Sequence, residues 1–323
     1  MKKSWIKLLQ THAAGIFEKS ESIFLKLLRE DFEEIMYNGW NQVYLEDSSG
    51  MRKLDHLFID AKDYERQVAL FLATQNQRLS VDRSILNFSI GEKYRVQVLH
   101  RHISGGETII SFRQSGSDKF DAQDFYENEF ITKNQHRILG ELVRNKRTIF
   151  ICGETSSGKT TLLNFLLGEI ESKERLIVIE DTREIQAPQE RNVVYLRSSK
   201  AEYQKEEITT GDLVKASLRL RPDRIILGEI RREEVVDFLH AINTGHRGSL
   251  CTGHGNSPQD MIHRLEMLLI EAGVPYDATK RYLGRGIDVI CFLEGKTKRQ
   301  LKSISRVDFV QGEVRVDEIY ESF

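Results

Sequence analysis

Residues 132–323 predict an α/β fold built on a largely parallel sheet, with a smaller α+β unit ahead of it over residues 1–114. Three observations carry this expectation. Apolar runs of strand length recur through the second part, separated mostly by helical or loop stretches, which is the order that βα units impose. A glycine-bounded loop stands between the first of those runs and a helix. The polar tract Ser115-Gly116-Ser117-Asp118-Lys119, with little to bury and low resistance to turning, separates the two parts, and 115–131 is read as linker. A length of 323 residues also suits two domains of roughly 150 residues, each able to bury its own core.

Composition closes several alternatives. With 40% hydrophobic residues and 47 Lys plus Arg against 49 Asp plus Glu, the chain has the apolar content to fold and a net charge of only −2, so dominant disorder is excluded. That balance withdraws the basic signature of a nucleic-acid binder, and direct nucleic-acid binding is not expected. Cys152, Cys251 and Cys291 are odd in number, far apart and outside any CxxC pattern, which points to reduced cytosol and to no zinc framework. The apolar start at Trp5–Leu9 breaks at Gln10-Thr11-His12, short of a signal peptide. Nowhere do 18 apolar residues run together, so membrane contact is expected to be peripheral or through a partner.

In the first part, Ile16, Phe17, Ile23, Phe24, Leu27, Leu28, Phe32 and Ile35 recur three and four positions apart and predict an amphipathic helix over Ile16–Ile35. Asn38-Gly39 predicts a turn, Gln42–Glu46 a strand, and Asp47-Ser48-Ser49-Gly50 a hairpin turn. Lys62–Gln75 is helical in pattern, while Tyr94–Leu99 and Ile109–Phe112 are strands. In the second part the order is helix Thr132–Val143, strand Thr148–Cys152, loop Gly153–Gly158 and helix Lys159–Leu167. Further strands are expected at Leu176–Ile179, Val193–Leu196, Arg224–Leu227, Ser249–Cys251 and Ile287–Phe292, and a polar hairpin over Asp308–Ile319.

The loop carries the chemistry. Gly153-Glu154-Thr155-Ser156-Ser157-Gly158-Lys159-Thr160, followed by Thr161, satisfies GxxxxGK[ST] letter for letter between an apolar strand and a helix. In that pattern successive backbone N–H groups and the helix N-terminus face phosphate oxygens. Lys159 adds a positive charge for the terminal phosphates of ATP, and the Thr160 hydroxyl suits Mg²⁺.

Phosphoryl transfer from such a nucleotide also needs carboxylates at strand ends, to hold the metal shell and orient water. Arg224-Ile225-Ile226-Leu227-Gly228-Glu229 ends in one, making Glu229 the principal candidate for catalysis and metal binding. Leu176–Asp181 ends in others, with Glu184 three residues beyond; Asp181 could equally cap a turn at Thr182–Glu184. His246 and His254 stand at opposite ends of a glycine-bounded strand, too far apart to share a metal. His254, at the carboxyl end, is a candidate phosphate sensor, although either histidine reads equally well as a partly buried ring bonded to a backbone carbonyl. Arg219, Arg221, Arg231 and Arg232 surround the acidic strand Arg224–Glu229, and Arg95 and Arg113 lie on strands of the first part.

Taken together, Gly153–Thr161, the acidic box Ile179–Glu184, the region Leu218–Arg231 and the stretch Thr244–Ser257 resemble the motif order of the traffic or secretion ATPases, from about Ser20 to Val289. Asn243–Leu250 and Arg264–Met267 are nearest the type IV secretion and tight-adherence pilus branch. The resemblance implies a RecA-like P-loop NTPase domain and a homohexameric ring hydrolysing ATP with Mg²⁺. It implies a cytoplasmic location beside an inner-membrane secretion or pilus machine. Lys159, Glu229, Glu184 and His254 would be the catalytic group, with Arg95 and Arg113 clamping nucleotide from the first domain. A RecA-like nucleic-acid translocase and a nucleotide-gated scaffold remain alternatives. Three positions depart from the family pattern: Ser156 stands where it usually has glycine, and Gly253 and Gly255 stand where larger residues are usual.

Overall fold

The computed structural model describes residues 22–28, 32–47, 49–55, 57–91, 93–114, 122–188, 191–198, 207–295 and 298–319. The chain divides into two compact units, Met1–Ser117 and Asp118–Phe323.

The first unit runs α1 (Ile23–Leu27), β1 (Glu34–Tyr37), β2 (Val43–Asp47), β3 (Gly50–Leu54), α2 (Ala61–Thr74), β4 (Ile85–Ile90), β5 (Tyr94–Leu99), α3 (Arg101–Ser104) and β6 (Ile109–Gln114). Its sheet is antiparallel throughout, in the order β3-β2-β1-β6-β5-β4. Phe24, Tyr37, Phe58, Tyr64, Phe71 and Phe112 pack in one aromatic core with edge-to-face, tilted and stacked pairs, where Tyr64 donates to the Thr108 carbonyl at 2.7 Å. The turn between β2 and β3 forms where expected, with Asp47 accepting from the Ser49 N–H at 2.9 Å and Gly50 at φ +107°.

The helix expected over Ile16–Ile35 needs correction. Residues 16–21 and 29–31 lie outside the described residues; of the rest, only Ile23–Leu27 is helical, and Glu34–Tyr37 is a strand. Ile35 and Tyr37 are buried while Glu34 and Met36 are partly exposed, a period of two that short runs do not separate from three-and-four spacing. Strand β4, absent from the expected elements, pairs with β5 along its whole length.

The second unit runs α4 (Ala122–Glu127), α5 (Lys133–Arg144), β7 (Ile149–Gly153), α6 (Lys159–Gly168), β8 (Leu176–Glu180), β9 (Val193–Arg197), α7 (Thr210–Ser217) and β10 (Arg224–Ile230). It continues with α8 (Glu234–Asn243), β11 (Leu250–Gly253), α9 (Pro258–Glu271), α10 (Tyr276–Gly286), β12 (Val289–Glu294), β13 (Gln300–Val310) and β14 (Glu313–Glu318). The strand order is β14-β13-β12-β7-β11-β10-β8-β9, parallel from β12 to β9 and closed at one edge by the antiparallel pair β13 and β14. Strands buried on both faces explain the near-continuous apolar runs: every residue of β7 and β8 is buried.

Local signals place the ends. Thr132 and Gln135 form a capping box at the start of α5, and Ser257 caps α9 with Pro258 at its first position. The hairpin expected over Asp308–Ile319 turns at Gln311-Gly312, both at positive φ, between β13 and β14. Within the stretch read as linker, Ala122–Glu127 is helical, and Phe125, Phe130 and Ile131 are buried in the second unit's core. A cluster of apolar side chains with helical partners is drawn into a core whatever polar tract precedes it.

Candidate phosphate-binding site

The loop follows β7, which lies between β12 and β11 near the centre of the sheet. Glu180, Glu229 and His254 stand at or just past the carboxyl ends of β8, β10 and β11, the end of a parallel sheet where ligands bind. Gly153 and Gly158 are at φ +157° and +94°. Their missing side chains matter for packing as well as conformation. A Cβ at Gly153 would stand 2.5 Å from the Leu293 carbonyl oxygen, and one at Gly158 would stand 2.8 Å from Cε2 of Phe130. Ser156, where the resembling family has glycine, is held at φ +65°, so the left-handed conformation persists despite the side chain, at a cost of about 1 kcal/mol.

Lys159 turns back on its own loop, donating to the carbonyls of Gly153 at 3.0 Å and Glu154 at 2.6 Å. Thr160, one residue on, donates to Glu184 Oε2 at 3.3 Å, so the Mg²⁺ candidate hydroxyl and one candidate carboxylate are already neighbours. Glu229 is held differently. Arg231 Nη2 donates to its Oε2 at 2.5 Å and reaches Asp181 with Nη1 at 3.3 Å, while His254 Nε2 lies 2.9 Å from Oε1 without the alignment of a full hydrogen bond. The hydrogen bond from Arg231 to Glu229 holds the guanidinium's proton still more firmly than usual. Burial lowers the His254 pKa, and the Lys159 charge lowers it further against the pull of Glu229, so the ring is neutral at pH 7.

Asp181 does not cap Thr182–Glu184. It accepts instead from Ser198 at 2.7 Å and Thr210 at 3.3 Å, and the neighbouring Glu180 accepts from the N–H groups of Glu184 and Ile185. Gly228 makes room for this: a Cβ there would stand 3.0 Å from Glu180 Cγ. The glycines on either side of His254 are closely packed. Met261 of α9 fills the space beside both, and a Cβ at Gly255 would meet its backbone N at 3.2 Å.

The donor set fits a nucleotide with its metal. The Ser157 hydroxyl is wholly buried in the loop without a hydrogen-bond partner, and Lys159, Thr160, Glu184 and Glu229 converge on the same sheet end. Glu154, Thr155 and Thr161 complete the loop and first helical turn. The three cysteines stay out of this chemistry: all are buried and unbonded to one another, and burial pushes the Cys152 thiol up to about 12. Arg95 and Arg113, on β5 and β6 of the first unit, are direct cross-strand partners, and Arg113 also faces Glu34.

Fold and loop define the class: a P-loop NTPase carrying its phosphate loop on a central parallel strand. More narrowly, the chain belongs to the Type II/IV secretion system protein family, whose sequence profile matches residues 65–294. A protein of Mycobacterium tuberculosis (strain ATCC 25618 / H37Rv) named for conjugal transfer is 27% identical over 327 residues, covering 98% of this chain and 91% of the relative. The type IV secretion system protein VirB11 of Brucella suis biovar 1 is 28% identical over 289 residues, covering 80% of this chain and 79% of its own. Among solved structures, the Legionella pneumophila ATPase DotB aligns with a TM-score of 0.63 at 17% identity, over 91% of this chain and 83% of DotB, a likeness of fold.

Proposed function

We propose that this protein is a Mg²⁺-dependent ATP hydrolase that works as a homohexameric motor energising type IV secretion, conjugation or pilus assembly. The observation that carries it is the neighbourhood of Lys159, Thr160 and Glu184 at the loop, with Glu229 at the same sheet end. In this reading the amides of Glu154–Thr160 wrap the terminal phosphates, and Lys159 exchanges its two carbonyl partners for their oxygens. Thr160 and Glu229 would hold Mg²⁺, which would supply Lewis-acid neutralisation of charge on the transferred group. Glu184 accepts the proton of the attacking water as its oxygen bonds to phosphorus and the bridging P–O bond breaks. His254, neutral in the nucleotide-free protein, senses the phosphates through its link to Glu229. Arg95 and Arg113 supply an anion clamp from the first unit.

The names of the relatives, conjugal transfer and type IV secretion, support the motor's setting. No described helix is long and apolar enough to cross a membrane, which suits a cytoplasmic protein docked on an inner-membrane machine. Lys159→Ala is the direct test: purified, assembled protein should lose ATP turnover entirely, and normal turnover would remove the loop from the reaction.

A further inference from the structure

Glu184 lies in a segment, residues 183–188, with no regular secondary structure, so its backbone polar groups have no ladder to join. Two side chains take that place. From below, Glu180 Oε1 accepts from Glu184 N–H at 3.0 Å and Ile185 N–H at 2.9 Å. From α6, Asn164 Nδ2 donates to the Glu184 carbonyl at 3.2 Å, and Asn164 Oδ1 accepts from Gln186 N–H at 2.9 Å. Asn164 stands four residues after Thr160, on the same face of the helix. That face therefore meets Glu184 twice: Thr160 at the carboxylate and Asn164 at the backbone. Ile185 between them is fully buried in the core, which anchors the segment against sliding.

We infer that Asn164 and Glu180 are positioning residues for the hydrolytic reaction, a two-sided clamp that fixes the Glu184 carboxylate relative to the phosphate loop. The inference rests on Glu184 accepting the water's proton. In this reading they act through Glu184 rather than on the nucleotide. Because Asn164 and the loop lysine share one helix, any shift of α6 when phosphate binds carries Glu184 with it, and the alignment of carboxylate to phosphate is preserved.

The test is steady-state ATP hydrolysis by the full-length chain with Mg²⁺, alongside nucleotide affinity and thermal melting. Asn164→Ala, on a half-buried helix position that alanine suits, should lower kcat roughly 10–100-fold while KM and ADP affinity stay within about twofold. Glu180→Ala should do the same, and Glu180→Gln, whose amide oxygen still accepts both N–H groups, should recover most of that loss. A role in folding alone would not give this split or this recovery. In the double variant Asn164→Ala with Glu184→Gln, turnover should fall no further than in Glu184→Gln alone. Full kcat in Asn164→Ala, or additive losses in the double variant, would overturn the clamp. Should Glu184→Gln itself turn over normally, the assignment of Glu184 fails first and the clamp with it. Should Glu180→Ala not fold, the Asn164 variants and Glu180→Gln decide alone.

Discussion

Strand β10 has an arginine at its first residue and another just past its last, and each meets a glutamate. At the amino end Arg224 is fully buried; it grips Glu174 through Nε at 2.9 Å and Nη2 at 2.8 Å, and donates to the carbonyls of Val143 and Gly248. Burial would raise the Glu174 pKa, but Arg224 and Lys146 overcome it and hold the carboxyl at about 2. At the carboxyl end Arg231 is half exposed and divides itself between Glu229 and Asp181. The same two residue types make a staple where their donors are saturated out of water, and an exchangeable contact where they are not. A metal or phosphate can compete for Glu229, whereas Glu174 is buried and already held by Arg224 and Lys146.

Exchanging the two glutamates breaks or sharpens that contrast most strongly. Glu229→Gln should bind nucleotide and keep the melting temperature but slow single-turnover hydrolysis by roughly 10²-fold or more. Glu174→Ala should leave Arg224 buried without its partner and cost about 3–5 kcal/mol in denaturant unfolding, while the folded fraction keeps its kcat. If Glu174→Ala lowered kcat at unchanged stability, the division between the two ends would be wrong. A smaller effect is expected at Arg231, where alanine should change stability by less than about 1 kcal/mol because its ion pairs are partly solvated.

The smallest effect is in pH. The folded His254 pKa lies below its ordinary value, so the unfolded chain binds the proton more readily. Stability should therefore rise with pH just below the ordinary histidine range, and His254→Asn should flatten that slope in melts of the nucleotide-free protein.

What the sequence made legible was local. Gly153–Thr160 announced the loop because its spacing encodes a backbone conformation, and Glu229 and Glu184 stood out because carboxylates followed apolar strands. Long-range pairing hid the rest. Arg224 looks like any charged residue beside an apolar run until Glu174, fifty positions earlier, folds against it. Asn164 was mute for the same reason, since its partners belong to a segment with no periodicity of its own, and Glu180 was legible only as a carboxylate at a strand end, not as the acceptor of the Glu184 and Ile185 N–H groups. Strand β1 was lost to the wrong period, because Phe32 and Ile35 happen to extend helical spacing into a strand whose register is set by Leu45 and Phe112.

Met261 has a consequence for how this sequence can change. Its side chain and backbone occupy the room that larger residues would need at Gly253 and Gly255. At Gly253 the obstacle is the flexible end of the Met261 side chain, which can swing aside, whereas at Gly255 it is the helix backbone itself, which no substitution at position 261 removes. The two glycines are therefore unequal: position 253 can gain a side chain by a rotamer change in Met261, and position 255 only by a shift of helix α9.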